Sequence, residues 1–325
     1  MDKKRIMIQM PVTDGIRSVL DGRVDVEYER FTELSEENIL QHIANYDGAI
    51  LGGVAPFTAR IVSNAPRLKV VSRHGVGYDN VDVDALTAAG IPLTVTGTAN
   101  SVTVAEHSLF FMMSLAKHGV KFDREVRKGN WDIRFENTAI DLAGRRVLIL
   151  GFGRIGQLLV KRCLGLDMVV SVHDPYASDE AIREAGAEPV TDWRATLPEL
   201  DFLSVNCPKT DETTGMVGAE ELAAMKGTAY VVNTARGGIV DEAALVDALK
   251  RRIIAGAAID AFEVEPATAD NPMFALDNIL VSPHSAGVTE ESMFRMGASC
   301  ARNVVDCFDG KLDPTNVVNR EVLGG

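Results

Sequence analysis

The chain has 325 residues, and at roughly 100–200 residues per domain that length suggests two domains. Hydrophobic residues make up 46% and charged residues 24%, near the averages of a globular protein that buries a sizeable core. Lys and Arg number 33 against 46 Asp and Glu, a net charge of −13, which disfavours a nucleic-acid or anionic-membrane surface because either needs clustered cations, but leaves a small anionic ligand open.

The N-terminal MDKKRIMIQM holds only a strand's length of apolar residues, so no signal peptide is expected. Arg5–Gln9 reads as a strand, Ile16–Leu20 as part of a helix and Val24–Tyr28 as a second strand. Glu36–Ala44 is expected to be helical, with further strands at Gly48–Leu51 and Leu68–Ser72. This β-α alternation implies a parallel sheet with helices on both faces. Thr103-Val-Ala-Glu106 has the form of a capping box, and Leu109, Phe110, Met112, Met113 and Ala116 continue it as a long apolar helix. Its apolar stretch Leu109–Leu115 is far below the ~18 residues of a membrane span, so no membrane partner is expected.

Lys117–Leu142 reads as polar and irregular, with Trp131 as its large aromatic. A buried strand then begins at Arg145, and fresh β-α units run to about residue 283. A second long helix spans about Glu290 to Phe308, followed by an extended tail over Pro314–Val318. Two β-α domains fit this order, one of residues 1–99 and 288–325, the other of residues 100–287. Cys163, Cys207, Cys300 and Cys307 show neither C-x-x-C pairing nor a zinc spacing. They read as reduced thiols in a cytoplasmic protein, with no metal site.

The strand Val147–Leu150 is followed by Gly151-Phe-Gly153-Arg154-Ile155-Gly156, then a helix and a second strand at Val169–Val172 that leads to Asp174. The glycine pattern alone is weak, but this context is the one a dinucleotide fingerprint requires. Gly151 permits the tight turn, Gly153 lets the backbone approach a pyrophosphate, and Gly156 lets helix and strand pack closely. The helix start offers free N–H groups to the phosphates. Asp174 can accept from both ribose hydroxyls and would repel a 2′-phosphate, which favours NAD over NADP. Arg154 reads equally as a phosphate contact or a surface cation.

Three later strands each end in an oddly placed polar group. Ala229-Tyr-Val-Val-Asn-Thr-Ala-Arg236 stops at an arginine followed by two glycines. Ala257-Ala-Ile-Asp260-Ala-Phe-Glu-Val-Glu265 runs into acids before a proline, and Asn278–Ser282 stops at Pro283-His284. Ligands of open α/β sheets bind beyond the carboxyl ends of strands, so Arg, Glu and His delivered there make an acid–base site with an anion clamp.

With these segments in order, and with Gly75-Val-Gly77-Tyr-Asp79-Asn80-Val-Asp82 before them, nearly the whole chain resembles the D-isomer-specific 2-hydroxyacid dehydrogenases. The likeness is to the branch of phosphoglycerate dehydrogenase and the glyoxylate and hydroxypyruvate reductases. It implies an α/β protein of two doubly wound parallel-sheet domains, a Rossmann NAD domain inserted in a flavodoxin-like substrate domain. It implies that His284 protonates the carbonyl oxygen of a 2-oxo acid and acts as base in reverse. Glu265 would orient the imidazole and favour its cation, and Arg236 would clamp the substrate carboxylate with its planar fork. The N–H groups of Gly75, Val76 and Gly77 would complete that carboxylate site. Asp260 would meet the nicotinamide amide, and Cys207, Pro208, Thr213 and Thr234 would line the cofactor cleft. The family dimerises through the region of Thr103 and Trp131, so a homodimer is expected. After Asn316-Val-Val-Asn319 no regulatory domain is expected.

One departure bears on the substrate. The loop Gly52-Gly-Val-Ala-Pro-Phe-Thr58 lacks the arginine and lysine that phosphoglycerate dehydrogenases usually place there. Hydroxypyruvate, glyoxylate or another small 2-oxo acid is therefore expected ahead of 3-phosphoglycerate, with Arg73 and Arg134 as the cations that would reverse this. His42, His107 and His118 read as structural, while His74 adjoins the substrate loop and His173 adjoins Asp174. An NAD-sensing binding protein of the corepressor kind is the alternative to an enzyme.

Overall fold

A computed structural model describes residues 3–53, 56–136 and 138–324. They form two compact units, the first reaching Asn100 and resuming at Val288, the second Ser101–Gly287. The first contains β1 (Lys4–Ile8), α1 (Asp14–Leu20), β2 (Val26–Arg30), α2 (Glu36–His42), β3 (Gly48–Leu51), α3 (Ala59–Ser63), β4 (Val70–Arg73), α4 (Val83–Ala88) and β5 (Leu93–Thr94). All pairings are parallel in the order β2-β1-β3-β4-β5, the flavodoxin-like winding. Strand β3 is buried along its whole length, as a parallel strand covered on both faces must be.

The second unit begins with α5 (Ser101–Ala116), α6 (Gly119–Arg127) and α7 (Ile133–Glu136). It continues through β6 (Arg146–Leu150), α8 (Arg154–Leu164), β7 (Val169–His173), α9 (Asp179–Glu184), β8 (Glu188–Pro189), β9 (Phe202–Val205) and α10 (Ala219–Ala224). It ends with β10 (Tyr230–Asn233), α11 (Glu242–Lys250), β11 (Gly256–Ile259) and β12 (Ile279–Val281). Its strand order is β12-β11-β10-β9-β6-β7-β8. Counted from its own first strand, that is the 3-2-1-4-5-6 winding of dinucleotide-binding sheets with one strand added. The last helix, α12 (Glu290–Phe308), belongs to the first unit and packs on α1, β3 and β4.

Helix starts follow their chemistry. Thr13, Ser35, Thr58, Asp82 and Asp241 each turn a side-chain oxygen onto the backbone N–H three residues on, filling one of the donors a first turn leaves unpaired. Four expectations shift. Helix α5 starts at Ser101, so Thr103 lies buried inside its first turn and is not its cap. The strand expected over Val24–Tyr28 is displaced to Val26–Arg30. The stretch read as irregular carries α6 and α7; α6 buries none of its residues, so no core-facing apolar stripe marked it. The tail is not extended throughout: Pro314–Asn316 forms a 3-10 turn before Val317 bridges antiparallel to Thr94.

Candidate active site

In the second unit the exit of β6 is the fingerprint turn. Gly151 holds φ +103°, and a Cβ there would lie 2.8 Å from the main chain of Asn206 and Cys207, which leave the neighbouring strand β9. A Cβ at Gly156 would lie 2.1 Å from the Gly151 carbonyl oxygen. Gly153, the N-cap of α8, has nothing within 4 Å of its Cβ direction and no side chain caps the helix. An eleven-residue helix with open space at its N-cap glycine and no side-chain cap suits a pyrophosphate. Arg154 is exposed at this end, and Ile155 is half-buried against the core.

Asp174, just past β7, accepts from the Phe152 N–H at 2.7 Å and the Tyr176 N–H at 2.8 Å. It therefore pins the middle of the glycine turn, a role the spacing did not announce. Cys207 is half-buried, and burial pushes its thiol up to about 11, so it stays protonated near neutral pH. Thr213 ties its own loop, donating to the Pro208 carbonyl at 2.7 Å and accepting from the Thr210 N–H at 2.7 Å. The buried Thr234 hydroxyl lies 2.7 Å from that of Ser108 on α5.

The ends of β10, β11 and β12 carry the expected trio. His284 Nδ1 lies 2.7 Å from Glu265 Oε2, while Glu265 Oε1 accepts from the Phe262 N–H at 2.8 Å. With Nδ1 engaged, Nε2 is the ring nitrogen available to a substrate. Arg236 lies on a turn whose next residue, Gly237, packs backbone on backbone: a Cβ there would fall 1.9 Å from the Phe262 oxygen. Only glycine lets the arginine turn and the glutamate turn meet so closely. Asn233, buried at the end of β10, donates to the Arg236 carbonyl at 2.8 Å and accepts from the Ala235 N–H at 3.0 Å. Asp260, 1% exposed, sits at the end of β11. Glu263 and Glu242 exchange bonds with each other's main-chain N–H at 3.2 and 2.5 Å, so Glu263 closes a loop. Asn233 and Ser282 were not singled out in the sequence; adjacent strands reveal them, and no spacing does.

The first unit carries the other expected residues. Gly75 turns at φ +129°, and its carbonyl accepts from the Thr96 N–H at 3.0 Å. Val76 and Gly77 follow, half-buried. Arg73 donates through Nη1 to the His74 carbonyl at 2.6 Å, and its Nη2 stands 3.3 Å from where a Gly53 Cβ would be. A guanidinium thus lies beside Gly53, whose loop continues through Val54 and Ala55, outside the described residues. Burial, aided by the Arg73 charge, pushes His74 down to about 4. Arg134, in the second unit, stacks over Phe135 and Trp131 at 4.6 and 5.4 Å.

Residues 109–286 match the D-isomer specific 2-hydroxyacid dehydrogenase, NAD binding domain. The D-3-phosphoglycerate dehydrogenase of Archaeoglobus fulgidus is 36% identical over 316 residues, 97% of this chain and 59% of its own length. The chain thus spans less than two thirds of that relative. The glyoxylate reductase of Pyrococcus furiosus is 34% identical over 328 residues, 99% of this chain and 97% of its own. Among solved structures, D-lactate dehydrogenase from Aquifex aeolicus, complexed with NAD and lactic acid, superposes with a TM-score of 0.87. It is 25% identical and covers 99% of this chain and 100% of its own. The chain belongs to the D-isomer specific 2-hydroxyacid dehydrogenase family, and NAD is its cofactor.

Proposed function

We propose that this protein interconverts small 2-oxo acids and D-2-hydroxy acids with NAD(H). The observation that carries the reading is the 2.7 Å His284–Glu265 pair, set beside the Arg236 turn at the carboxyl ends of the NAD-unit strands. NADH, when bound, supplies the hydride. The glycine turn 151–156 and the first turn of α8 would hold its pyrophosphate and Asp174 its ribose, and Cys207, Pro208, Thr213 and Thr234 would line its cleft. His284 Nε2 gives its proton to the carbonyl oxygen in reduction and takes it back in oxidation. Glu265 engages Nδ1 and keeps the ring turned. Arg236 holds the carboxylate through paired N–H groups.

Glyoxylate or hydroxypyruvate is placed ahead of 3-phosphohydroxypyruvate, because Gly52, Gly53 and Pro56–Thr58 bring no cation of their own. The likeness to a glyoxylate reductase over nearly its full length supports this; that to a phosphoglycerate dehydrogenase makes Arg73 the deciding residue. The exposed Phe110, Met113, Val120, Val126, Trp131 and Phe135, all on α5–α7 or the segment between α6 and α7, supply the face of a homodimer. No described helix is long and apolar enough to cross a membrane, and four free cysteines fit the reducing cytoplasm.

The test is kcat/KM for glyoxylate, hydroxypyruvate and 3-phosphohydroxypyruvate, followed by NADH absorbance in the wild type and in Arg73→Ala. The small acids are expected to lead, with Arg73→Ala changing their kcat/KM less than about tenfold, the worth of one charge-assisted hydrogen bond at its weaker end. A lead for the phosphorylated acid that Arg73→Ala abolishes overturns the substrate assignment. NADH binding without turnover of any of the three overturns the enzyme reading in favour of a sensor.

A further inference from the structure

The turn that presents His284 is unusual. His284 adopts φ +50°, a left-handed conformation that residues other than glycine keep only when their surroundings over-determine it. The surroundings here belong to one residue of the adjacent strand end. The Asp260 carboxylate accepts from Ser282 Oγ at 2.5 Å, from the Ser285 N–H at 2.8 Å and from the Ala286 N–H at 2.9 Å. Its carbonyl accepts from the His284 N–H at 2.9 Å. The turn from 282 to 286 is therefore wrapped around Asp260. Beyond it, Ser282 Oγ lies 3.2 Å from His107 Nε2 on α5. The one hydroxyl proton of Ser282 goes to Asp260, so His107 must donate from Nε2. The chain of donors runs His107 to Ser282 to Asp260.

We infer that Asp260 is a positioning residue that holds the His284 turn, with Ser282 and His107 as its outer support. This rests on His284 as the general acid and goes beyond the nicotinamide contact the family resemblance implies. Oδ1 already takes two donors and Oδ2 one, which leaves Oδ2 a single lone pair for any cofactor amide. The physical reason for the arrangement is proton transfer. A ring displaced by about 1 Å from its partner oxygen loses on the order of a hundredfold in rate, even when nothing that touches substrate has changed.

The experiment combines kinetics with hydrogen exchange on Asp260→Asn, Ser282→Ala, His284→Ala and the double variants Asp260→Asn/His284→Ala and Ser282→Ala/His284→Ala. Asp260→Asn is expected to lower kcat roughly 100-fold and Ser282→Ala roughly 3- to 10-fold, the size of one hydrogen bond. Substrate KM should stay within about twofold in both, and NADH Kd likewise in Ser282→Ala, since no group assigned to substrate is changed. In the His284→Ala background neither change should cost more, because a residue acting through His284 has nothing left to position. Amide protection of Ser285 and Ala286 should fall in Asp260→Asn and persist in His284→Ala.

Losses that persist beside His284→Ala, or an NADH Kd that rises while kcat holds, overturn the inference and make Asp260 a cofactor contact. Unchanged amide protection in both Asp260→Asn and Ser282→Ala overturns it as well. Full activity in His284→Ala instead overturns the general-acid reading, and the exchange data then still decide whether Asp260 holds the turn. Ser282→Ala, which removes one hydroxyl, serves where Asp260→Asn fails to fold.

Discussion

The two units are wound alike, yet the same point in each sheet is finished differently. In both, the winding reverses at the first strand, β1 lying between β2 and β3 and β6 between β7 and β9. This is where a doubly wound sheet opens a crevice. After β6 the chain makes a glycine turn into an uncapped eleven-residue helix with open space at Gly153. After β1 it enters the seven-residue α1, whose first turn is closed by its own Thr13 hydroxyl on the Ile16 N–H. There α12 packs so closely that a Cβ on Gly297 would come 2.2 Å from Thr13 Oγ1. Topology supplies a crevice twice; only the second leaves its helix start open and uncapped, as a phosphate site requires.

At the opposite ends of the sheets the units agree. Asp47, buried before β3, exchanges bonds with the Arg5 main chain at 3.0 and 2.8 Å. Asp201, buried before β9, does the same with Arg146 at 2.9 and 2.9 Å. Each is flanked by cations, Arg67 at 3.0 Å and Lys4 at 3.6 Å for one, Lys226 at 3.1 Å and Arg145 at 3.5 Å for the other. Burial pushes both carboxyls up, but these N–H groups and cations outweigh it and hold each below the usual carboxylate range. The framework ends are shared, and the differences lie at the strand ends that bind.

The sharpest way to break this contrast is with histidines. His284→Ala is expected to lower kcat by roughly 10²–10⁴-fold, the contribution of a general acid, with NADH affinity retained by fluorescence titration. His74→Ala, at a half-buried ring that stays neutral because its pKa is pushed down to about 4, should leave kcat within the same order. Equal losses would place the first unit in the proton transfer.

A smaller effect probes the open helix start. Asp174 beside the glycine turn should favour NADH over NADPH by at least about tenfold, since repulsion near a 2′-phosphate costs on the order of 1–3 kcal/mol. Asp174→Ala should shrink that ratio and weaken NADH binding too, because the Phe152 N–H loses its acceptor. Equal use of both cofactors by the wild type would refute the assignment.

The smallest effect tests the agreement. Asp47→Asn and Asp201→Asn should each cost about 1–3 kcal/mol near pH 7, the usual penalty of unpairing a buried donor. The folded carboxyls titrate below the unfolded ~3.9, so their stabilisation is present above that value and lost as pH falls through the lower folded one. Urea unfolding should therefore show the variants converging on the wild type below about pH 4. A gap that survives at pH 2 would mean the charges are not what matters.

How much of this could be read along the chain depends on how local each signal is. Strand β3 and helix α12 stand at their expected bounds, Gly48–Leu51 and Glu290–Phe308, because a buried run and a capped amphipathic stripe are written in consecutive residues. The fingerprint turn was legible for the same reason. Helices α6 and α7 were not, since α6 buries no residue and so carries no core-facing period.

At the site, Arg236, Glu265 and His284 showed themselves as polar residues stranded at apolar strand ends. That Asn233 grips the arginine turn, that Asp260 gathers the histidine turn, and that Gly237 seats one turn on another were decided only by the tertiary structure. Hydrogen bonds across a sheet depend on which strands lie side by side. The order β12-β11-β10-β9-β6-β7-β8 follows from the packing of all these strands together and from no single stretch of the chain.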